Sequence, residues 1–265
     1  MPLIALVTDF GTKDHYAGVL KGVIASLSPR TVVVDISHEV AAHDITSAAF
    51  LLWQSWPWFP AETVFLAVVD PGVGRVRRII AARYASRFVV APDNGLITFV
   101  HREFPPQAVH SVENRRYFVG EPSHTFHGRD ILAPVAAHLA NGVPPRELGP
   151  AVDQVELLPI PHQAEATRDG IRGRVLHVDR FGTMVTNIRA NQVIEWGRGA
   201  RAVLVRVNGN EWGSVRATYA DVQVGEPLAL IGGSGLLEIA INQGRAVDRL
   251  GPAGSAVVDL IRYPA

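Results

Sequence analysis

Apolar positions recur along this chain with two different periods, and the change of period divides it. Leu3–Val7, Thr31–Ile36 and Thr63–Val69 are short apolar or β-branched runs that read as buried strands. Between them Tyr16, Val19, Leu20, Val23, Ile24 and Leu27 fall at helical spacing, which predicts an amphipathic helix over 14–28, ended by Pro29. Ile45, Ala48, Ala49, Leu52, Trp53 and Trp56 keep the same spacing behind Asp44, a favoured N-cap residue, with Pro57 and Pro60 closing the helix. Alternation of strand and helix is the pattern of a mainly parallel sheet covered on both faces. Further strands are predicted at 78–85 and 87–91, a turn at Pro92-Asp93-Asn94-Gly95, and a short helix at 95–103. His124–Arg129 reads as a loop, and Asp130 as the cap of a helix reaching about Asn141, with Gly142 as its stop.

From Gly149 to Gly170 the periodicity is lost and Pro150, Pro159 and Pro161 mark a linker. Short strands follow at about 171–179, 202–207, 213–218, 227–231, 235–241 and 255–262, with turns at Asn208-Gly209 and Gly232-Gly233 and a helical stretch only at 190–196. The expected fold class is α/β: an N-terminal, mainly parallel α/β sheet domain over 1–160 and a smaller all-β, barrel-like domain over 161–265.

Composition narrows the function classes. With 48% hydrophobic and 19% charged residues, the chain can bury a substantial core. Its formal net charge of +0 gives no electrostatic case for nucleic acid or an anionic membrane. The absence of cysteine excludes disulfides, thiolate nucleophiles and Cys-ligated zinc, and is compatible with a cytoplasmic location. The start MPLIALVTDF has no basic region of the kind a signal peptide carries, and no apolar run approaches the ~18 residues of a membrane span. No GxGxxG follows the first strand, no GxxxxGK[ST] exists, and no GxSxG nucleophile elbow is present.

The candidate chemistry lies at strand ends. Asp70 ends the Thr63–Val69 run and precedes Pro71-Gly72-Val73-Gly74, with Arg75, Arg77 and Arg78 just beyond. In open α/β sheets ligands bind outside the carboxyl ends of strands, so this carboxylate is well sited; the alternative is a turn-capping Asp beside surface arginines. Asp9 follows the first strand and suits either a ribose diol, whose two hydroxyls a carboxylate can accept, or the cap of the helix near Asp14. His127 stands before the Asp130 helix, next to the flexible Gly128. Asp9, His43, Asp44, Asp70 and His127 lack HxxxH or HxH spacing, so no metal is expected. In the second half, Asp179-Arg180-Phe181-Gly182-Thr183, Thr218-Tyr219-Ala220-Asp221 and Gly232-Gly233-Ser234-Gly235 offer an aromatic face and exposed backbone suited to a purine, or else hairpin turns and a packing Tyr.

Taken together, TDFGTKDHYAGVLKG, VVDPGVGRVRR, APDNGL, TFHGRDILAPVAAHLANG, VDRFGTMVTNI, TYADV and GSGLLEIAINQGRA resemble the S-adenosyl-L-methionine (SAM) hydroxide adenosyltransferases, the SAM hydrolases related to fluorinase and chlorinase. The resemblance runs in order from about residue 4 to the chain end. It implies an N-terminal α/β domain joined to a barrel-like domain. It also implies a homotrimer with each active site between the N-terminal domain of one subunit and the C-terminal domain of the next. The family's water-handling set maps onto Asp70, Arg77 and His127, and its ribose carboxylate onto Asp9. By the same resemblance Asp179 meets the methionine amino group, Tyr219 lies near adenine, and Gly233, Ser234 and Asn242 approach the nucleoside or methionine. Thr183 departs from the Asn that relatives usually carry after Phe-Gly. Gly128 stands where halogenases have a Ser near the halide, and Asp70 where they have a Tyr.

The expected reaction is hydrolysis of SAM to adenosine and L-methionine by a water that Asp70 orients and deprotonates, with no cofactor and no metal. Arg77 would position Asp70, and His127 would complete the hydrogen-bonded set. The alternatives are a 5′-halogenase of the same fold, a non-catalytic adenosine or SAM sensor, and a metal-dependent phosphoesterase built on Asp9, Asp70 and His127.

Overall fold

A computed structural model of the chain describes residues 1–251 and 256–264. It forms two compact units, Met1–Pro159 and a second from Ile160 onward.

In the first unit β1 (Leu3–Thr8), α1 (Tyr16–Leu27), β2 (Val32–Ser37), α2 (Ile45–Ser55) and β3 (Val64–Val68) follow one another as the hydrophobic pattern predicts. Next come β4 (Ile79–Tyr84), β5 (Arg87–Pro92), α3 (Thr98–Glu103) and β6 (Pro106–Ser111). The six strands are ordered β2-β1-β3-β5-β4-β6. β1–β2, β1–β3 and β3–β5 pair in parallel, whereas β4 pairs antiparallel with both β5 and β6. All five residues of β3 are buried. Val64, Leu66 and Val68 belong to one core cluster with Leu20 and Ile24 of α1. Phe65 stacks on Trp56, with ring centroids 4.5 Å apart. Apolar burial on both faces explains why this strand is a continuous apolar run rather than an alternating one.

One strand is additional to those expected and one expectation is corrected. β6 begins on Pro106 and lies at the sheet edge, where a proline costs no ladder hydrogen bond. Asp130 caps no helix. A π-helical turn, Gly128–Leu132, already contains it and runs into α4 (Ala133–Ala140). Its buried carboxylate instead accepts from the Ser123 N–H at 2.8 Å and the Ser123 hydroxyl at 2.7 Å, and pairs with Arg129.

The second unit contains β7 (Glu165–Ala166), β8 (Ile171–Val178), β9 (Met184–Arg189), α5 (Ala190–Gly197), β10 (Ala200–Val207) and β11 (Asn210–Arg216). It continues with β12 (Pro227–Ile231), β13 (Leu236–Ile241), α6 (Ala246–Leu250) and β14 (Val257–Pro264). The order β14-β10-β11-β12-β13-β9-β8, with β14 also pairing β8, closes a seven-stranded barrel that leaves only the short β7 outside. Met184, Ile188, Val205, Val207, Leu237, Ile239 and Val258 are among the residues that fill it. The expected barrel is present, but β9 and α6 were not anticipated: β9 follows the Asp179–Thr183 turn directly, and α6 is a single short turn. The start of the strand expected at 255 lies outside the described residues.

Candidate active site

Asp70 leaves the sheet two residues past the end of β3, and the chain turns back through Pro71 to Arg77. Gly74 has φ +77°, and a Cβ there would stand 2.5 Å from the His124 carbonyl oxygen. Only glycine therefore lets the 70–77 loop lie against the 124–127 loop, which brings Arg77 to His127. Arg77 Nε donates to Asp70 Oδ1 and Oδ2, each at 2.8 Å, and its Nη2 donates to Oδ2 as well. The same Nη2 lies 3.0 Å from His127 Nδ1. Guanidinium nitrogens only donate, so Nδ1 is the acceptor and the neutral ring carries its proton on Nε2. Burial, and then the Arg77 charge, push the His127 pKa below the ordinary imidazole value, against the opposing pull of Asp70. The Asp70 and Arg77 side chains are only 7% and 12% exposed, so this is a largely buried ion pair.

Asp70, His127, Asp9 and Gly128 line one cavity of about 310 Å³. β1 runs beside β3 with Thr8 opposite Val68, so Asp9 and Asp70 emerge from neighbouring strand ends. Asp9 Oδ2 accepts the His43 N–H at 3.0 Å, and His43 is held at φ +69°. Asp9 does not cap α1, whose N-cap is His15 with no side-chain cap bond. The apolar wall consists of Phe10, Tyr16 and Phe126; Phe126 meets the other two rings edge-on at 5.9 and 5.2 Å. A Cβ on Gly128 would lie 3.4 Å from both Leu20 and Phe126, so this glycine keeps helix and ring close at the cavity floor.

The second unit holds a separate cavity of about 700 Å³ whose lining includes Asp179, Thr183, Tyr219, Gln243 and Arg245. Asp179 Oδ1 accepts the N–H groups of Phe181 and Thr183, both at 2.9 Å, which closes the turn between β8 and β9. Burial, followed by the charges of Glu238 and Asp179, pushes the Tyr219 phenol up, while a hydrogen bond with the Thr183 side chain pulls it the other way. Burial and Asp179 also raise the pKa of Glu238, a half-buried carboxylate. Gly233 and Ser234 lie on an exposed turn between β12 and β13, outside that lining. Asn242 is also outside it; its Nδ2 donates to the Val222 carbonyl at 2.9 Å and ties down the 219–222 segment.

Two family models match the chain: the SAM hydroxide adenosyltransferase N-terminal domain over residues 4–149 and the C-terminal domain over 173–258. The chain belongs to the SAM hydroxide adenosyltransferase family. It is 39% identical over 257 residues to an (R)-S-adenosyl-L-methionine hydrolase of Thermus thermophilus, covering 94% of this chain and 95% of that one. A fluorinase of Actinoplanes sp. is more distant, at 29% identity over 272 residues, with 91% of each chain covered. The crystal structure of an uncharacterized conserved protein from Thermotoga maritima superposes with a TM-score of 0.92 at 37% identity, covering 98% of this chain and 100% of that one.

Within this family fold, several contacts around the cavities are not legible in the sequence. Asn94 Nδ2 donates to the Val69 carbonyl at 2.9 Å, anchoring the peptide before Asp70 from the β5 turn. Asp93, in the same turn, pairs with Arg78 at 2.7 Å. His43 lines the first cavity, and Arg245, within the GSGLLEIAINQGRA segment, lines the second. The Asp70–Arg77 pair sets the first expected outcome. Replacing Arg77 by Met leaves a buried carboxylate without its main donor and should cost about 3–5 kcal/mol, near the lower limit because the cavity is open. Adding Asp70→Asn should recover part of that loss. Urea unfolding of the two single variants and the double variant checks this; strictly additive effects would mean the pair is not coupled.

Proposed function

We propose that this chain hydrolyses SAM to adenosine and L-methionine, and that Asp70, Arg77 and His127 handle the attacking water. The observation that carries the reading is the hydrogen-bonded Asp70–Arg77–His127 set opening on the cavity shared with Asp9. The relative from Thermus thermophilus is named a hydrolase of the same substrate. A sulfonium sulfur leaves C5′ as a neutral thioether, so the leaving group needs neither protonation nor a Lewis acid. What the step does need is one oxygen held in line behind C5′ and a fixed ribose. In this reading the carboxylate of Asp9 accepts from the ribose hydroxyls, while the Phe10–Tyr16–Phe126 wall keeps bulk water away. Asp70 accepts a hydrogen bond from the water. As the new O–C5′ bond forms, the C5′–S electron pair passes to sulfur and the water proton passes to Asp70, then to solvent. Arg77 fixes the carboxylate in bidentate fashion, and neutral His127 fixes Arg77.

A carboxylate at position 70 repels a halide and favours water, which argues for hydrolysis over halogenation. The same reading assigns Asp179, Thr183 and Tyr219 to the amino-acid and adenine ends of the substrate, with Gly233, Ser234 and Asn242 shaping the surrounding turns. It includes assembly as a homotrimer, in which a neighbouring subunit completes each site, and a cytoplasmic setting where SAM is available. No cofactor is required.

Chromatography of a SAM incubation should show adenosine and methionine in equal amounts, and no 5′-halo-adenosine when chloride or fluoride is present. Asp70→Asn should retain SAM binding by calorimetry while kcat falls by about 10²–10⁴; undiminished turnover would remove Asp70 from the reaction. The pH profile is a second check. His127 has its pKa lowered, so its ring stays neutral to more acid pH than free histidine, which titrates near ~6.5. Protonation would remove the acceptor of the Arg77 hydrogen bond and place two cations together. An acid limb in kcat/KM is therefore expected below the ordinary imidazole value, and His127→Asn should abolish or displace it. A limb at or above pH 7 would contradict the assignment.

A further inference from the structure

Arg245 breaks a local rule. It occupies the N-cap of α6, where a short hydrogen-bonding side chain is favoured, and makes no cap bond. Its stem instead packs over the turn between β8 and β9: a Cβ built on Gly182 would stand 2.7 Å from Arg245 Cβ and 3.0 Å from its Cγ. Gly182 is at φ +81°, so the turn demands glycine on two counts, backbone conformation and room for this arginine. The guanidinium is anchored at one end only. Nη1 donates to the Arg180 carbonyl at 2.8 Å, and Nε lies 3.3 Å from the exposed carboxylate of Asp248, a long and solvent-screened contact. Nη2 has no hydrogen-bond partner among the described residues, and Arg245 lines the same cavity as Asp179.

That cavity thus offers both signs of charge, Asp179 against Arg180 and Arg245. Asp179 commits Oδ1 to the turn, while its Oδ2 accepts no hydrogen bond among the described residues. A free carboxylate oxygen and a free guanidinium edge together complement a zwitterion, the α-ammonium and α-carboxylate of an amino acid. Fixing an arginine at a helix N-cap, against local preference, is the kind of exception that binding sites show.

We infer that Arg245 binds the α-carboxylate of the substrate's methionine half and so selects SAM over analogues lacking that group. This rests on the hydrolase reading above.

The test compares SAM with decarboxylated SAM, in wild-type protein and in Arg245→Met, which keeps the stem over Gly182 but removes the charge. The wild-type preference for SAM in kcat/KM should fall about tenfold or more in Arg245→Met, the usual scale for losing a hydrogen bond to a charged group. Arg245→Lys, a point charge without the planar fork, should fall between the two. A merely structural lesion would weaken both substrates alike and leave the ratio within twofold of wild type, which would overturn the inference. Calorimetric Kd values for both compounds separate the two claims. Wild-type protein that binds SAM in preference but does not turn it over would sink the hydrolase reading alone. Turnover with an unchanged ratio in Arg245→Met would sink only the role of Arg245, and wild-type protein binding neither compound would overturn both.

Discussion

Arg77 grips both oxygens of the Asp70 carboxylate and also reaches an imidazole, so one side chain fixes Asp70 and His127 relative to each other. An ion pair this enclosed contributes little net stability, since desolvating two charges offsets most of their attraction. Its value is positional. A carboxylate at the end of a strand is free to rotate unless something holds both oxygens, and a planar guanidinium does so with fixed geometry. The rest of the first unit can be read as the support for that contact. β3, buried on both faces, sets where Asp70 leaves the sheet, Asn94 holds the peptide before it, and Gly74 lets the returning loop meet the His127 loop.

The second unit solves a different problem with similar means. Its closed barrel is a rigid frame, and the chemistry sits on turns at its rim, tied by carboxylates and amides. Asp179 closes one turn through two backbone N–H groups, and Asn242 pins the segment bearing Tyr219. Loops held by such bonds give the precision that a binding site needs while the strands supply the stability. The charges are divided accordingly. The first cavity presents carboxylates and aromatic rings, and the second sets the guanidinium groups of Arg180 and Arg245 beside its carboxylate.

Where one physical pattern dominated a segment, the sequence was enough to read it. β1, α1, β2, α2 and β3 are all visible as clean periods bounded by Pro, Gly or Asp, and Asp70 stands out because β3 ends so abruptly. The reading faltered where two rules competed. Pro106 hid an edge strand, Asp130 looked like a cap while its carboxylate was engaged with Ser123, and β9 was masked by the turn before it. Of the candidate site, Asp9, Asp70, Arg77 and His127 were proposed from strand ends and resemblance, and the structure brings Asp70, Arg77 and His127 together. The Asn94 anchor, the strained His43 and the unorthodox N-cap at Arg245 could not be read that way, because each depends on contacts between distant turns that no local pattern encodes.

The central claim is that Asp70 delivers water to C5′ and does not itself attack. A single turnover in H2(18)O, with enzyme in excess over SAM, tests it most directly. Delivery of solvent predicts that adenosine formed in that first turnover carries the heavy oxygen at its 5′ position and that Asp70 stays unlabelled. Unlabelled adenosine, with the isotope found in the Asp70 carboxylate, would contradict the account.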